Sequence, residues 1–102
     1  MKRRRLVVTA QALNDLLADH NYIAQFNPAA ARRFLDDINV KMISLARYGI
    51  TGVPRNYVPN LRACPYRNRC IYFVVDDKKI YVLRVLHGHQ DISADHFKQE
   101  EN

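Results

Sequence analysis

The chain has 102 residues, which allows one domain with a single modest core that buries about 65% of the unfolded surface. A net charge of +6 and a pI near 9.6 favour an anionic partner such as nucleic acid or an acidic protein segment. That size argues against enclosing a large cofactor, and no apolar run is long enough to span a membrane.

Met1-Lys2-Arg3-Arg4-Arg5 is basic, but only Leu6-Val7-Val8 follows before polar Thr9. This is no secretory signal, so a cytoplasmic location with reduced thiols is expected. Leu6–Val8 reads as a first strand. Thr9 suits an N-cap, because its hydroxyl can accept from an orphan amide. Leu13, Leu16, Leu17, His20, Ile23 and Ala24 then recur at three- and four-residue steps, which predicts an amphipathic helix of about four turns. His20 lies on that stripe and is expected to pack at the core edge. Asn27-Pro28 breaks the chain and restarts it, with Asn as N-cap and Pro at the first helical position. Ala31, Phe34, Leu35, Ile38, Met42, Leu45 and Ala46 carry the second helix to a stop at Gly49. The short break makes the pair an antiparallel hairpin. Asp36 and Asp37 are expected to face water.

From Gly49 to Asn60 no period survives, and Gly49, Gly52, Pro54 and Pro59 mark a loop. Three strands are predicted after it, over Leu61–Tyr66, Cys70–Val75 and Ile80–Leu86, with turns at Arg67-Asn68 and Asp76–Lys79. Cys70–Val75 is apolar on both faces and is expected at the sheet centre. In the last strand, Tyr81, Leu83 and Val85 are expected on one face and Ile80, Val82, Arg84 and Leu86 on the other. The fold class is therefore α+β in the order β-α-α-β-β-β: a curved antiparallel sheet packed on an N-terminal helical hairpin over residues 1–91. Residues 92–102 form a polar tail, expected as a short helix or a loose end. Cys64 and Cys70 flank the Arg67-Asn68 turn and are expected as reduced packing residues. No Cys-x-x-Cys or His-x-x-x-His pair is present to seed zinc, so neither a metal nor a cofactor is expected.

No acidic residue stands between Asp37 and Asp76, while Lys41, Arg47, Arg55, Arg62, Arg67 and Arg69 do. Such one-signed charge on a small sheet calls for a partner of opposite sign. The segment then ends on His87-Gly88-His89-Gln90-Asp91.

The chain resembles the ParE branch of the RelE/ParE toxins of bacterial toxin–antitoxin systems. The resemblance lies in Ala12-x-x-Asp15-Leu16, Tyr22-Ile23-Ala24 and Asn27-Pro28-Ala29-Ala30-Ala31-Arg32-Arg33-Phe34. It continues in Pro59-Asn60-Leu61-Arg62, Tyr72-Phe73-Val74-Val75-Asp76-Asp77 and Val82-Leu83-Arg84-Val85-Leu86-His87-Gly88. Two positions depart from the family: Asn60 stands where glycine is usual, and Gln90 where arginine commonly precedes the aspartate. The resemblance implies a small toxin that inhibits DNA gyrase and is held inactive by a ParD-like antitoxin in a hetero-oligomer. The RelE-like branch instead cleaves messenger RNA on the ribosome.

A metal-independent ribonuclease needs a base, an acid and cations around the phosphorane. His87, Arg62 and Arg84 are the candidates for that chemistry, with His89 and Arg69 beside them and Tyr66 to stack on a base. The tail from Ser93 to Glu101 is acidic at its end and holds no tyrosine, unlike that of RelE-like enzymes. Gyrase inhibition without covalent chemistry is therefore the first reading, ribonuclease the second, and a non-toxic binding module the third. The expected target contacts are Arg62, Tyr66, Arg69, Arg84, His87 and Asp91. A helix of a small acidic antitoxin is expected across Leu13, Leu17, Phe34 and Leu35, with an extended stretch along a strand edge.

Overall fold

The computed structural model describes residues 3–48, 52–88 and 91–98. The first strand, β1 (Arg5–Val8), leads into α1 (Ala10–Ala24) and α2 (Pro28–Arg47). The Thr9 hydroxyl accepts from the Ala12 amide at 3.3 Å and reaches the Val82 carbonyl at 2.9 Å, so one side chain caps α1 and ties it to the sheet. The Asn27 carboxamide accepts from the Ala30 amide at 3.0 Å, and Pro28 opens α2 as its spacing predicts. Tyr48 closes α2. Gly49, expected to stop it, lies outside the described residues. So do Met1, Lys2, Ile50, Thr51, His89, Gln90 and the end of the tail from Gln99. No helix among the described residues is long and apolar enough to cross a membrane.

Four further strands follow: β2 (Val53–Pro54), β3 (Arg62–Tyr66), β4 (Arg69–Val75) and β5 (Lys79–His87). The sheet order is β1-β5-β4-β3-β2, so β4 is central as expected. The strands β2 to β5 run antiparallel, and β1 joins β5 in parallel, from Arg5 opposite Lys79 to Val8 opposite Val82. The helical hairpin makes this possible, because it returns the chain to the start of the sheet before β2 begins. The two-residue β2 lies inside the segment expected as loop, and its exposed Val53 and Pro54 carry no periodicity to announce it.

A β-bulge sets the faces of β5. Phe73 opposes Val82 while Tyr72 opposes Arg84, which leaves Leu83 as the extra residue. The alternation expected for this strand is corrected here. Val85 joins Ile80 and Val82 on the helix side, because the bulge shifts the pleat by one residue. The helix-side core is built on Ile38, Met42, Leu16, Ile71, Phe73 and these three residues. A smaller apolar cluster of Leu61, Ala63, Tyr72, Leu86 and Phe97 lies on the far face of the sheet. Phe97 sits in a 3₁₀ turn (Ala94–Phe97) and is 5% exposed, so part of the polar tail docks on the sheet. His20 is half-buried, and its ring bonds Asn21.

Asn60 takes a φ of 65°, the left-handed backbone that asparagine tolerates. Gly52 has a φ of +92°, and a Cβ there would lie 2.5 Å from the Ala63 carbonyl oxygen. Only glycine lets β2 approach β3 this closely. The Gly52→Ala variant is expected to lose about 1–3 kcal/mol in equilibrium denaturation. Gly88→Ala is its control: that Cβ would sit 3.4 Å from the Asn68 carbonyl, and a cost below about 1 kcal/mol is expected.

Candidate functional site

Asp15 and Asp19 stand one turn apart on α1, facing β5 and β4. Past Val82 the outer edge of β5 no longer pairs with β1, and Asp15 takes over that edge. Its carboxylate accepts from Arg84 Nε at 2.7 Å, Arg84 Nη2 at 2.8 Å and the Val85 amide at 3.0 Å. The Asp15 hydrogen bonds raise the Arg84 pKa above its ordinary value. Arg84 Nη1 donates to the His96 carbonyl at 2.8 Å, so this one guanidinium joins α1, β5 and the C-terminal turn. The pair is largely shielded from water, at 20% and 14% side-chain exposure.

Asp19 serves β4 in the same way. It accepts from Arg69 Nε at 2.9 Å and lies 3.3 Å from His87 Nε2. Arg69 also donates to the Asn68 side chain at 2.8 Å, and its guanidinium sits 4.4 Å from the centroid of the Phe34 ring. Three of the expected target contacts, Arg69, Arg84 and His87, thus come together along α1 against two carboxylates. Of the three, His87 keeps 56% of its side chain exposed. Asp15 and Asp19 were not singled out from sequence as site residues. The available signal was two carboxylates four apart on one face of a helix, in an otherwise cationic chain.

Tyr66 borders this cluster, since it stands opposite Arg69 in the pairing of β3 with β4. Arg62 Nη2 donates to the Gly52 carbonyl at 3.0 Å. Tyr66 packs against the helix-side core, with the Arg67 guanidinium 5.1 Å from its ring centroid. Arg67 in turn reaches Asp37 at 3.2 Å in an exposed pair. Asp91 is exposed.

On the far face of the sheet lies a groove of about 440 Å³. Val53, Arg55, Tyr57, Pro65, Cys70 and Tyr72 line it, with Arg67, Arg69, Gly88 and Ile92 also at its walls. No carboxylate is among its lining residues. Arg55 Nη2 donates to the Tyr57 hydroxyl at 2.7 Å, and its guanidinium lies 5.1 Å from that ring's centroid. Arg55 meets no carboxylate among the described residues, unlike Arg67, Arg69 and Arg84. Tyr57 stacks on Phe97 with centroids 5.9 Å apart, and Tyr72 meets Phe97 edge-on at 5.0 Å. Arg55 and Tyr57 lie in a segment read from sequence only as loop.

The groove floor is desolvated. Burial, then the neighbouring Cys70, pushes the Tyr72 phenol up to about 12, and burial also raises the Cys70 thiol. Ultraviolet titration is expected to show one of the six tyrosines ionising near 12, a signal absent from Tyr72→Phe. The folded pKa exceeds the unfolded value of about 10, so this group's stabilising contribution is complete below that pH. It is lost as pH rises through 12. Cys64 opposes Ile71 while Cys70 opposes Pro65, so the two thiols point to opposite faces of the sheet. Both cysteines are free.

An apolar strip crosses the helical hairpin. Leu13 and Leu17, one turn apart on α1, are 48% and 43% exposed. A cleft of about 290 Å³ between α1 and α2 is lined by Leu13, Leu16, Leu35 and Met42, among others. Phe34 is placed differently from the other expected antitoxin contacts: it packs on the core beneath Arg69.

The family model described as the ParE toxin of type II toxin–antitoxin system, parDE, matches residues 6–92. Among solved structures, a chain of the chromosomal ParDE TA system from P. aeruginosa superposes with a TM-score of 0.71. It is 27% identical, over 82% of this chain and 95% of that one. The curated protein sequences give no match.

Proposed function

Because the chain belongs to the ParE toxin family of type II toxin–antitoxin systems, we propose that it inhibits DNA gyrase in the cytoplasm and is neutralised by a small acidic ParD-like antitoxin. The family match over residues 6–92 carries this reading. The arrangement of charge supports inhibition over cleavage. A ribonuclease needs cations available to a phosphorane and a base free to take the 2′-hydroxyl proton. Here Arg84 and Arg69 are held by Asp15 and Asp19. A phosphate would have to displace a carboxylate from each.

Within this reading, Arg62, Tyr66, His87 and Asp91 are the proposed target contacts. Arg69 and Arg84 act indirectly by holding β4, β5 and the C-terminal turn in place. The antitoxin lays an amphipathic helix across Leu13, Leu17 and the cleft beside Leu35. A tail that is disordered when free folds on this strip, so contact area is offset by ordering entropy. The +6 net charge speeds encounter with an acidic chain, and the leucines slow its release. One observation favours the ribonuclease reading: Asp19 beside exposed His87 is an arrangement that can orient a histidine base.

Expression tests the toxin reading. Growth arrest on induction, relieved by co-expressing the adjacent small reading frame, is the expected result, with both proteins purifying together at moderate salt. Unimpaired growth, or proteins that purify apart, favours the non-toxic binding module.

A further inference from the structure

We propose that the far-face groove seats a short acidic and apolar peptide segment of the inhibited topoisomerase. Its carboxylate bonds Arg55 beside the Tyr57 hydroxyl, and the neighbouring apolar or aromatic side chain lies over Pro65, Cys70 and Tyr72. This inference rests on the gyrase reading above and names a surface through which the target is held.

Charge complementarity identifies the occupant. Arg67, Arg69 and Arg84 have carboxylate partners within the protein, whereas Arg55 donates to a phenol and meets no carboxylate among the described residues. The groove places this cation at the rim of a floor made of Pro65, Cys70 and Tyr72. Its volume of about 440 Å³ falls in the range of specific binding clefts. A carboxylate docking there forms a charge-assisted hydrogen bond in a partly dry setting, where such bonds gain strength. Nucleic acid suits the groove less well. A phosphate backbone is held by several cations at once. Arg67 and Arg69 also line the groove, but their side chains reach Asp37 and Asp19, which leaves Arg55 as the lining arginine with no carboxylate among the described residues.

Position separates the target from the antitoxin. Leu13 and Leu17 lie on the helical hairpin, which covers one face of the sheet, and Pro65, Cys70 and Tyr72 lie on the other. A helix seated on the leucines leaves the groove open. Val53, 57% exposed on the short edge strand, extends the groove wall toward solvent.

The test uses the purified full chain and Arg55→Glu in a gyrase supercoiling assay, with antitoxin affinity measured in parallel. Arg55 is exposed, so the variant is expected to keep its melting temperature. The concentration for half-inhibition is expected to rise roughly 30-fold or more, as when one partner of a buried charge pair is lost. Antitoxin affinity should change less than about threefold, the scale of a rim charge. Maleimide labelling of Cys70 supplies a second readout, with buried Cys64 on the opposite face as internal reference. Gyrase should slow labelling at Cys70, and antitoxin should not. A wild-type chain that inhibits, beside an Arg55→Glu that inhibits equally well, overturns the inference and leaves the gyrase reading standing. A wild-type chain with no effect on supercoiling overturns both. Protection of Cys70 by antitoxin, or by a single-stranded oligonucleotide alone, reassigns the groove and overturns the inference.

Discussion

Replacing Asp15 with alanine is expected to lower stability by about 3 kcal/mol, the cost of leaving a shielded charge without its partner. Three donors lose their acceptor at once: Arg84 Nε, Arg84 Nη2 and the Val85 amide. The Val85 amide lies on the outer edge of β5 just past the bulge, where β1 no longer supplies a carbonyl. For a domain of this size the loss corresponds to a melting temperature lower by about 15 °C. A double-mutant cycle separates the ion pair from the amide bond. In an Arg84→Met background the Asp15→Ala cost should shrink, because no guanidinium is stranded. Arg84→Met should also loosen the C-terminal turn, since Arg84 Nη1 bonds the His96 carbonyl. Hydrogen exchange at residues 94–97 would register that loosening. A loss below about 1 kcal/mol for Asp15→Ala is the range of a surface pair and would mean that Arg84 finds water readily.

The paired substitution Leu13→Asp with Leu17→Asp is expected to raise the antitoxin dissociation constant roughly 100-fold or more, the effect of losing two interface anchors. Both side chains are nearly half exposed, so the helix-side core should survive and the melting temperature should stay nearly constant. Toxicity should persist while rescue by co-expression fails. An unchanged dissociation constant, measured by calorimetry, would remove the helical hairpin from the antitoxin interface.

Local signals made much of this fold legible. Thr9 and Asn27 act at the helix starts through bonds that span three residues, and Pro28 fits the first helical position by its fixed φ; each does so in the structure. The Arg67-Asn68 turn and the buried centre of β4 follow from turn chemistry and apolar content on both faces. Features that depend on distant partners were not legible. The Leu83 bulge arises from pairing with β4 and leaves no mark in the composition of β5. The parallel place of β1 is fixed by strand order, which periodicity does not encode.

Phe97 looks like one aromatic in a polar tail until Tyr57 and Tyr72 are brought beside it. Charge was the most deceptive feature. The acid-free span from residue 38 to 75 suggested an uncompensated basic sheet. The carboxylates that meet it come from the helices: Asp19 pairs with Arg69 across 50 residues, and Asp37 reaches Arg67. Arg69 and Arg84 are held by Asp19 and Asp15, and Arg55 is an exposed cation that meets no carboxylate among the described residues.

The central claim is that this toxin acts on a topoisomerase and not on messenger RNA. The most direct measurement sets a supercoiling assay with purified gyrase beside a ribosome-dependent cleavage assay, using the same preparation of the chain. Loss of supercoiling with intact messenger RNA, reversed by adding antitoxin, is the predicted result. Codon-phased cuts in messenger RNA with normal supercoiling would contradict the account.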